Sequence, residues 1–339
     1  MIRQRRFSLF AVVVAVCRLA PAVDAQTVEA VGSRAQGMGG AFVAVANDSS
    51  ATWWNPGGLA AGPFVDMAIA RAVTTADGRL PAARSALWSF SLGTPPLGVS
   101  YYRLRITDLR PSDPTAAGGA DREDRRAGVA TRSLSATQFG ATVVHTLLTG
   151  IHAGATVKYV RGTATSSAIV GTEAILLDIP ELLDRGEDLD GGEGHGGIDV
   201  DLGILAVAGP IRVGGVVRNA RELELGDARL PRQIRIGAAF DGDAAGLPPL
   251  MISLDADVRS YETGTGERRV IAAGAEQWMF ARRLGLRGGA RFNTVGAQDQ
   301  AVTAGISVAV RSGAYVDAHV VAGGDDGEAG WGVAGRVSF

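Results

Sequence analysis

Charged residues that could do chemistry recur at alternate positions within apolar segments: Asp199 and Asp201, Arg235, Asp255 and Asp257, Arg287 and Arg291. In an extended strand a spacing of two or four residues points side chains to one face. Such a face has two uses in an enclosed lumen. Arg235, Arg287 and Arg291 could meet the headgroup of an amphiphile, which would otherwise be desolvated without a partner, or they could pair with the four aspartates across neighbouring strands and keep the interior balanced. Other chemistry finds little support. The four histidines, His145, His152, His195 and His319, fall in no HExxH or paired-ligand spacing, and no GxSxG elbow occurs. Ser49 and Ser50 beside Asp48 read as a helix start rather than a nucleophile. Gly37, Gly39 and Gly40 follow no strand and precede no lysine, so they make no phosphate-binding loop. The acidic run Asp184, Glu187, Asp188, Asp190 and Glu193 lacks EF-hand spacing and reads as a solvated loop. No enzyme, cofactor or metal is expected.

Composition sets the compartment. Arg3, Arg5 and Arg6 precede the apolar run Phe7 to Val16, and Val23, Asp24 and Ala25 supply a small-residue cleavage pattern, so residues 1–25 read as a secretory signal. The only cysteine, Cys17, lies inside it, leaving a mature chain with no disulfide or thiolate chemistry. Lys158 is the only lysine among 33 basic residues, and a net charge of -2 argues against nucleic acid as a partner. No run of about 18 apolar residues follows the signal, which excludes a helical membrane protein.

The elements that must position the charged faces are strands. From Pro63 onward, segments of about ten residues alternate apolar and polar between Gly, Pro or Asp turns, as in membrane-spanning barrels. The clearest sets Ile252, Leu254, Ala256 and Val258 against Ser253, Asp255 and Asp257. Strands are expected near Pro63–Arg71, Ser85–Gly93, Leu97–Ile106, Leu134–Leu148, Ile151–Arg161, Ile198–Ala208, Ile211–Asn219, Gln233–Asp241, Leu250–Ser260, Arg269–Met279, Arg282–Phe292, Ala301–Arg311, Ala314–Ala322 and Ala329–Phe339. The fold class is therefore an all-β transmembrane antiparallel barrel of about 14 strands. Short links such as Gly209-Pro210 and Ser312-Gly313 suit periplasmic turns, while Thr107–Ser133 and Gly162–Gly197 suit outward loops. Within the latter, Ile175, Leu176, Leu177, Ile179, Leu182 and Leu183 around Pro180 suggest an amphipathic helix, either a lid on the rim or a docking surface. Tyr101, Tyr102, Tyr159, Trp278 and Trp331 are candidates for sparse aromatic girdles. A soluble sandwich of two stacked sheets is the rival fold, because alternation alone does not name the solvent on each face. The last strand, with Trp331, Val333, Val337 and Phe339 on one side, argues for closure onto the first.

Residues 26–62 differ, being Gly-rich and without alternation. Pro56 ends a short helical stretch, and a segment this small has no core of its own, so it needs a lumen to sit in. The run Arg34–Ala60, RAQGMGGAFVAVANDSSATWWNPGGLA, resembles the N-terminal hatch of the FadL superfamily of outer-membrane proteins, especially its PorV/PorQ-like branch. A second block, Ala272–Gly296, resembles paired late strands of that branch. By this likeness the hatch residues carried over are Asn55 and Pro56, with Gly57 where alanine is common; Gly37, Gly39 and Gly40 complete the hatch motif as positions that allow close backbone approach. The barrel then comprises residues 63–339. The resemblance implies a place in the outer membrane of a Gram-negative-type bacterium, in contact with its lipid, and transport of long-chain fatty acids or other hydrophobic small molecules. Its PorV-like side implies instead a secretion component that docks exported proteins.

Overall fold

The computed structural model describes residues 23–24, 31–78, 82–111, 129–169, 177–189, 191, 194–225, 228–263, 266–296, 299–324 and 328–339. Nearly all of the signal reading, and Ile175, Leu176, Asp190 and Glu193 of the second long loop, lie outside the described residues.

Fourteen antiparallel strands form one closed barrel. They are β1 Asp66–Ala76, β2 Ala82–Gly93, β3 Leu97–Pro111, β4 Val129–Leu148, β5 Ile151–Ile169, β6 Gly194–Ala208, β7 Ile211–Arg218, β8 Gln233–Asp241, β9 Leu250–Asp257, β10 Val270–Met279, β11 Leu284–Asn293, β12 Gln300–Arg311, β13 Ala314–Gly323 and β14 Glu328–Ser338. The ring closes where β14 pairs with β1, Trp331 standing opposite Val73. One continuous sheet with no free edge replaces the two stacked sheets of the rival fold.

Alternation builds the wall as the sequence implies. On β9 Ile252 and Leu254 are exposed, while Ser253, Asp255 and Asp257 are buried. The same split recurs at Ile198 and Leu202 against Asp199 and Asp201, and at Leu286 and Phe292 against Arg287 and Arg291. The outer surface is thus a continuous belt of half-exposed Ile, Leu, Val and aromatic side chains, a surface for hydrocarbon rather than water. No helix among the described residues is long and apolar enough to cross a membrane, so a crossing falls to the strands.

Several strands outrun their expected ends toward the long loops, β1 to Ala76, β2 from Ala82 and β6 from Gly194 among them, and β3, β4 and β5 do so furthest. Thr107–Pro111, Val129–Leu134 and Gly162–Ile169, most of them expected to be loop, continue the ladder of β3, β4 and β5. These stretches are rich in Thr, Ser and Arg, and backbone pairing persists where the side chains no longer alternate. Helix α1 spans Ser33–Gly37, α2 Ala51–Trp54, and a 3₁₀ turn follows over Pro56–Ala61. Helix α3, Ile179–Glu187, starts with a capping box between Asp178 and Glu181. It lies against the outside of the extended wall, neither over the mouth nor free for docking. Leu182 and Leu183 are buried there with Ala82, Leu109 and Val129, and Arg84 pairs with Asp184 and Glu187.

Two of the expected girdle aromatics turn inward. Tyr102 has the opposite parity from Tyr101, and its hydroxyl sits 2.8 Å from Thr52 Oγ1 of the plug. Trp278 is buried against Tyr315 with ring centroids 5.8 Å apart. Each ring carries a polar group, and the lumen offers both groups polar company that hydrocarbon does not.

Candidate functional site

The segment Val31–Gly62 fills the lumen, and it is seated mainly on backbone. Asn55 is fully buried. Its Nδ2 donates to the carbonyls of Val43 at 2.8 Å and Ile204 at 2.9 Å, and its Oδ1 accepts from the Gly57 amide at 3.1 Å. One side chain thereby fixes plug to plug and plug to wall. The wall is cut away to receive it: a Cβ on Gly203 would lie 2.3 Å from Asn55 Oδ1, and one on Gly154 would lie 2.5 Å from the Pro56 carbonyl carbon. Gly57 is as tightly placed, since a Cβ there would lie 2.9 Å from the His152 carbonyl oxygen.

A second seat lies across the barrel. Gly37 ends α1 and Gly39 and Gly40 follow it, and Gly39 combines a φ of 69° with an approach that would put a Cβ 2.7 Å from the Ala290 amide. Only glycine suits that combination. Facing it, Gly274 and Gly289 are filled by the backbone of Met38, and Gly305 meets Gly37. Between the seats, Asp255 Oδ2 accepts from the amides of Phe42 at 2.7 Å and Val43 at 2.8 Å, and Ser253 Oγ donates to the Ala41 carbonyl at 2.6 Å. These bonds satisfy plug backbone that has no regular ladder of its own.

An ion-pair network ties the plug to the far wall. Arg34 reaches Glu276 at 2.6 Å through Nη2 and Asp48 at 3.2 Å. Glu276 also receives Arg287 Nε at 2.6 Å, so one buried carboxylate holds two guanidinium groups. Burial alone pushes the Asp48 carboxyl up, but Arg34, Arg336 and the Ser50 hydroxyl outweigh it and hold the group below the usual carboxylate range. Burial opposes the charge of Arg34, and the Glu276 carboxylate overcomes that and raises the guanidinium further. Asp48 Oδ1 also accepts from the amide of Ser50, as expected of a helix start.

The lumen is not uniform. On the side of β1–β4 the inward face carries an apolar cluster against the plug: Ala72, Leu87 and Tyr102 pack around Val31, with Trp53 and Leu104 beside them. Ile106 and Leu134 continue this face toward the long loops, touching Leu230 of the β7–β8 connection. The opposite wall carries charge. At the short-turn end a cavity of about 220 Å³ lies beneath the plug, lined by Arg34, Asp48, Asp66, Trp278, Tyr315 and Arg336 among others.

The expected lumen charges all face inward. Arg235 binds Asp257 on the neighbouring strand, Nε at 2.7 Å and Nη2 at 3.1 Å. Arg287 goes to Glu276, and Arg291 to Glu328. Asp201 accepts from Lys158 Nζ at 2.6 Å. Asp199 accepts from the backbone amide of Arg221 at 2.9 Å, and Asp255 serves the plug. Arg34, Asp48 and Glu276, the separate cation Lys158, and Asp317, which lies 3.3 Å from Arg336 and 3.9 Å from Arg287, are lumen charges to which sequence reasoning gave no such role. Glu276 stands inward beside the outward Ala275 and Gln277, a parity that could have marked it. Among the described residues no group of three or more His, Cys, Asp or Glu could hold a metal ion.

No model of a known protein family matches the chain, and no curated protein matches it by sequence. Solved structures do match its fold. The Ralstonia pickettii toluene transporter TbuX is similar with a TM-score of 0.59 at 14% identity, over 92% of this chain and 99% of that one. The CymD monoaromatic hydrocarbon channel gives 0.62 at 12%, over 93% and 99%. The P. putida toluene transporter TodX gives 0.56 at 10%, over 92% and 99%. At these identities the likeness is one of fold.

Proposed function

We propose that the chain is an outer-membrane channel for hydrophobic small molecules, with Val31–Gly62 as its hatch and residues 1–25 removed on export. The observation that carries this is the apolar strip on the inner face of β1–β4, Ala72, Leu87, Leu104, Ile106 and Leu134, which starts against Val31 of the plug and runs toward the long loops, opposite a wall that carries ion pairs. Such a strip attracts an apolar solute out of water and delivers it to the hatch. The proteins of like fold are by name carriers of toluene and monoaromatic hydrocarbons, which supports that substrate class here. Arg235, Arg287 and Arg291 each hold a carboxylate. A fatty-acid headgroup would have to displace one of these, so an uncharged ligand fits better than an ionised one.

Kinship with the PorV/PorQ-like branch rests on Arg34–Ala60 and Ala272–Gly296 alone. The docking role it suggests gains nothing from α3, whose apolar side chains are spent on the wall. Uptake of radiolabelled toluene and oleate by cells with and without the chain tests the transport reading. Faster toluene entry with the chain present is expected, reduced by Leu134→Asp. Equal entry of both solutes with and without the chain would overturn it.

A further inference from the structure

The outer wall changes character abruptly near the long-loop end, and the ladder aligns the change across five strands. One row of paired residues runs Ile69, Phe90, Tyr101, Phe139, Tyr159 and Ile198, all apolar or aromatic and all outward. Phe139 and Tyr159 are 57% and 50% exposed, and the rings of Tyr101 and Phe139 meet at 4.8 Å. The next outward row toward the loops is Arg71, Trp88, Arg103, Thr137 and Arg161. Its three arginines are exposed. Among the described residues no carboxylate pairs with any of them, in contrast to the arginines of the lumen. Beyond this row lies a cavity of about 190 Å³ on the outer face, lined by Arg103, Arg105, Ser133, Ser135, Thr163 and Thr165, and closed above by Leu189 and Gly191. Arg105 is steadied there, Nη1 donating to the Glu187 carbonyl at 2.9 Å.

Aromatic rings beneath, unpaired guanidinium groups at the boundary and hydroxyls above form the profile of a lipid whose acyl chains end in an anionic, phosphate-bearing headgroup. Arginine suits it, because its planar fork meets phosphate oxygens in pairs. The outward loops place the site in the outer leaflet. We infer that the face of β3–β5 binds a phosphorylated lipid of that leaflet, the phosphate held by Arg103, Arg105 and Arg161 and the chains laid along Tyr101, Phe139 and Tyr159. This site is separate from the lumen and does not depend on the transport reading.

Native mass spectrometry of the detergent-purified barrel tests it, with three probes: bis-phosphorylated lipid A, the same acylated disaccharide without phosphate, and inorganic phosphate. The wild-type chain is expected to retain lipid A and to bind the phosphate-free form at least about tenfold more weakly. The triple variant R103Q/R105Q/R161Q should lose about tenfold or more in lipid A retention, whereas R282Q at the short-turn end should not. Equal retention by the triple variant, or of the phosphate-free lipid, overturns the inference. Inorganic phosphate displacing lipid A from the wild-type barrel would overturn it in favour of a soluble anion. Should the triple variant fail to reach the membrane, the comparison of the two lipids on the wild-type chain decides.

Discussion

Asn55 shows how much one amide can do in a closed space. Replacing it with alanine leaves the carbonyls of Val43 and Ile204 without their donor and the Gly57 amide without its acceptor, and a buried group left unsatisfied costs about 1–3 kcal/mol. The Asn55→Ala chain should therefore show frequent current steps in planar bilayers where the wild-type chain is quiet; equally quiet traces would refute its anchoring role. Glu276 is the second such point. Glu276→Gln leaves Arg34 and Arg287 sharing a neutral amide, and breaking a buried pair in this way costs about 3–5 kcal/mol. The temperature at which the unboiled gel band shifts should fall well below that of the wild type. Asp48 adds a dependence on acid. Its carboxyl is held below its usual value in the folded chain, so its contribution is complete above about pH 3.9, the unfolded value, and is lost as pH falls through the lower folded value. Titrating plug release by tryptophan fluorescence should show this acid limb in the wild type and a weaker one in Asp48→Asn.

At the scale of elements, the plug and wall fit by subtraction. Gly154 and Gly203 on β5 and β6, and Gly274 and Gly289 on β10 and β11, leave backbone-sized hollows that the plug enters. Gly203→Val should evict the Asn55-Pro56 turn while leaving the ladder intact, giving an open pore with unchanged gel mobility. Gly335→Ala, where nothing lies within 4 Å of the new methyl, should behave as wild type. A closed pore in Gly203→Val would contradict the fit. The strands themselves were legible in sequence because Leu254 and Asp255 meet different solvents, and the alternation records that contrast. The extensions over Thr107–Pro111 and Gly162–Ile169 were not, since beyond the apolar belt no hydrocarbon marks the outer face: the first is covered by α3, a distant segment, and the second carries Thr and Ser on both faces. Partners such as Glu276 for Arg34, or Asp255 for the Val43 amide, join residues more than two hundred positions apart. Register across a closed ring decides those meetings, and local pattern carries no trace of it.

For the whole molecule, closure is the property that everything else assumes. A barrel with β14 laced to β1 along the full length of β1 keeps its ladder in cold detergent, so boiled and unboiled samples should migrate differently on a gel and the chain should stay with membranes through a carbonate wash. Release by carbonate would refute a spanning barrel. The division of labour is also a whole-molecule property: ion pairs hold the plug on one side, an apolar strip meets it on the other, and the outward arginines of β1, β3 and β5 stand where the apolar belt ends.

Lys158, the sole lysine, is 1% exposed, clamped between Asp201 and Asn219, and 5.9 Å from the Trp53 ring of the plug. Apart from the chain's own amino terminus, an acylating reagent therefore finds no primary amine it can reach while the lumen is stoppered. The molecule carries a built-in tag whose labelling clock starts when Trp53 moves away, so the rate of modification, read by peptide mass, counts departures of the stopper without any engineered probe.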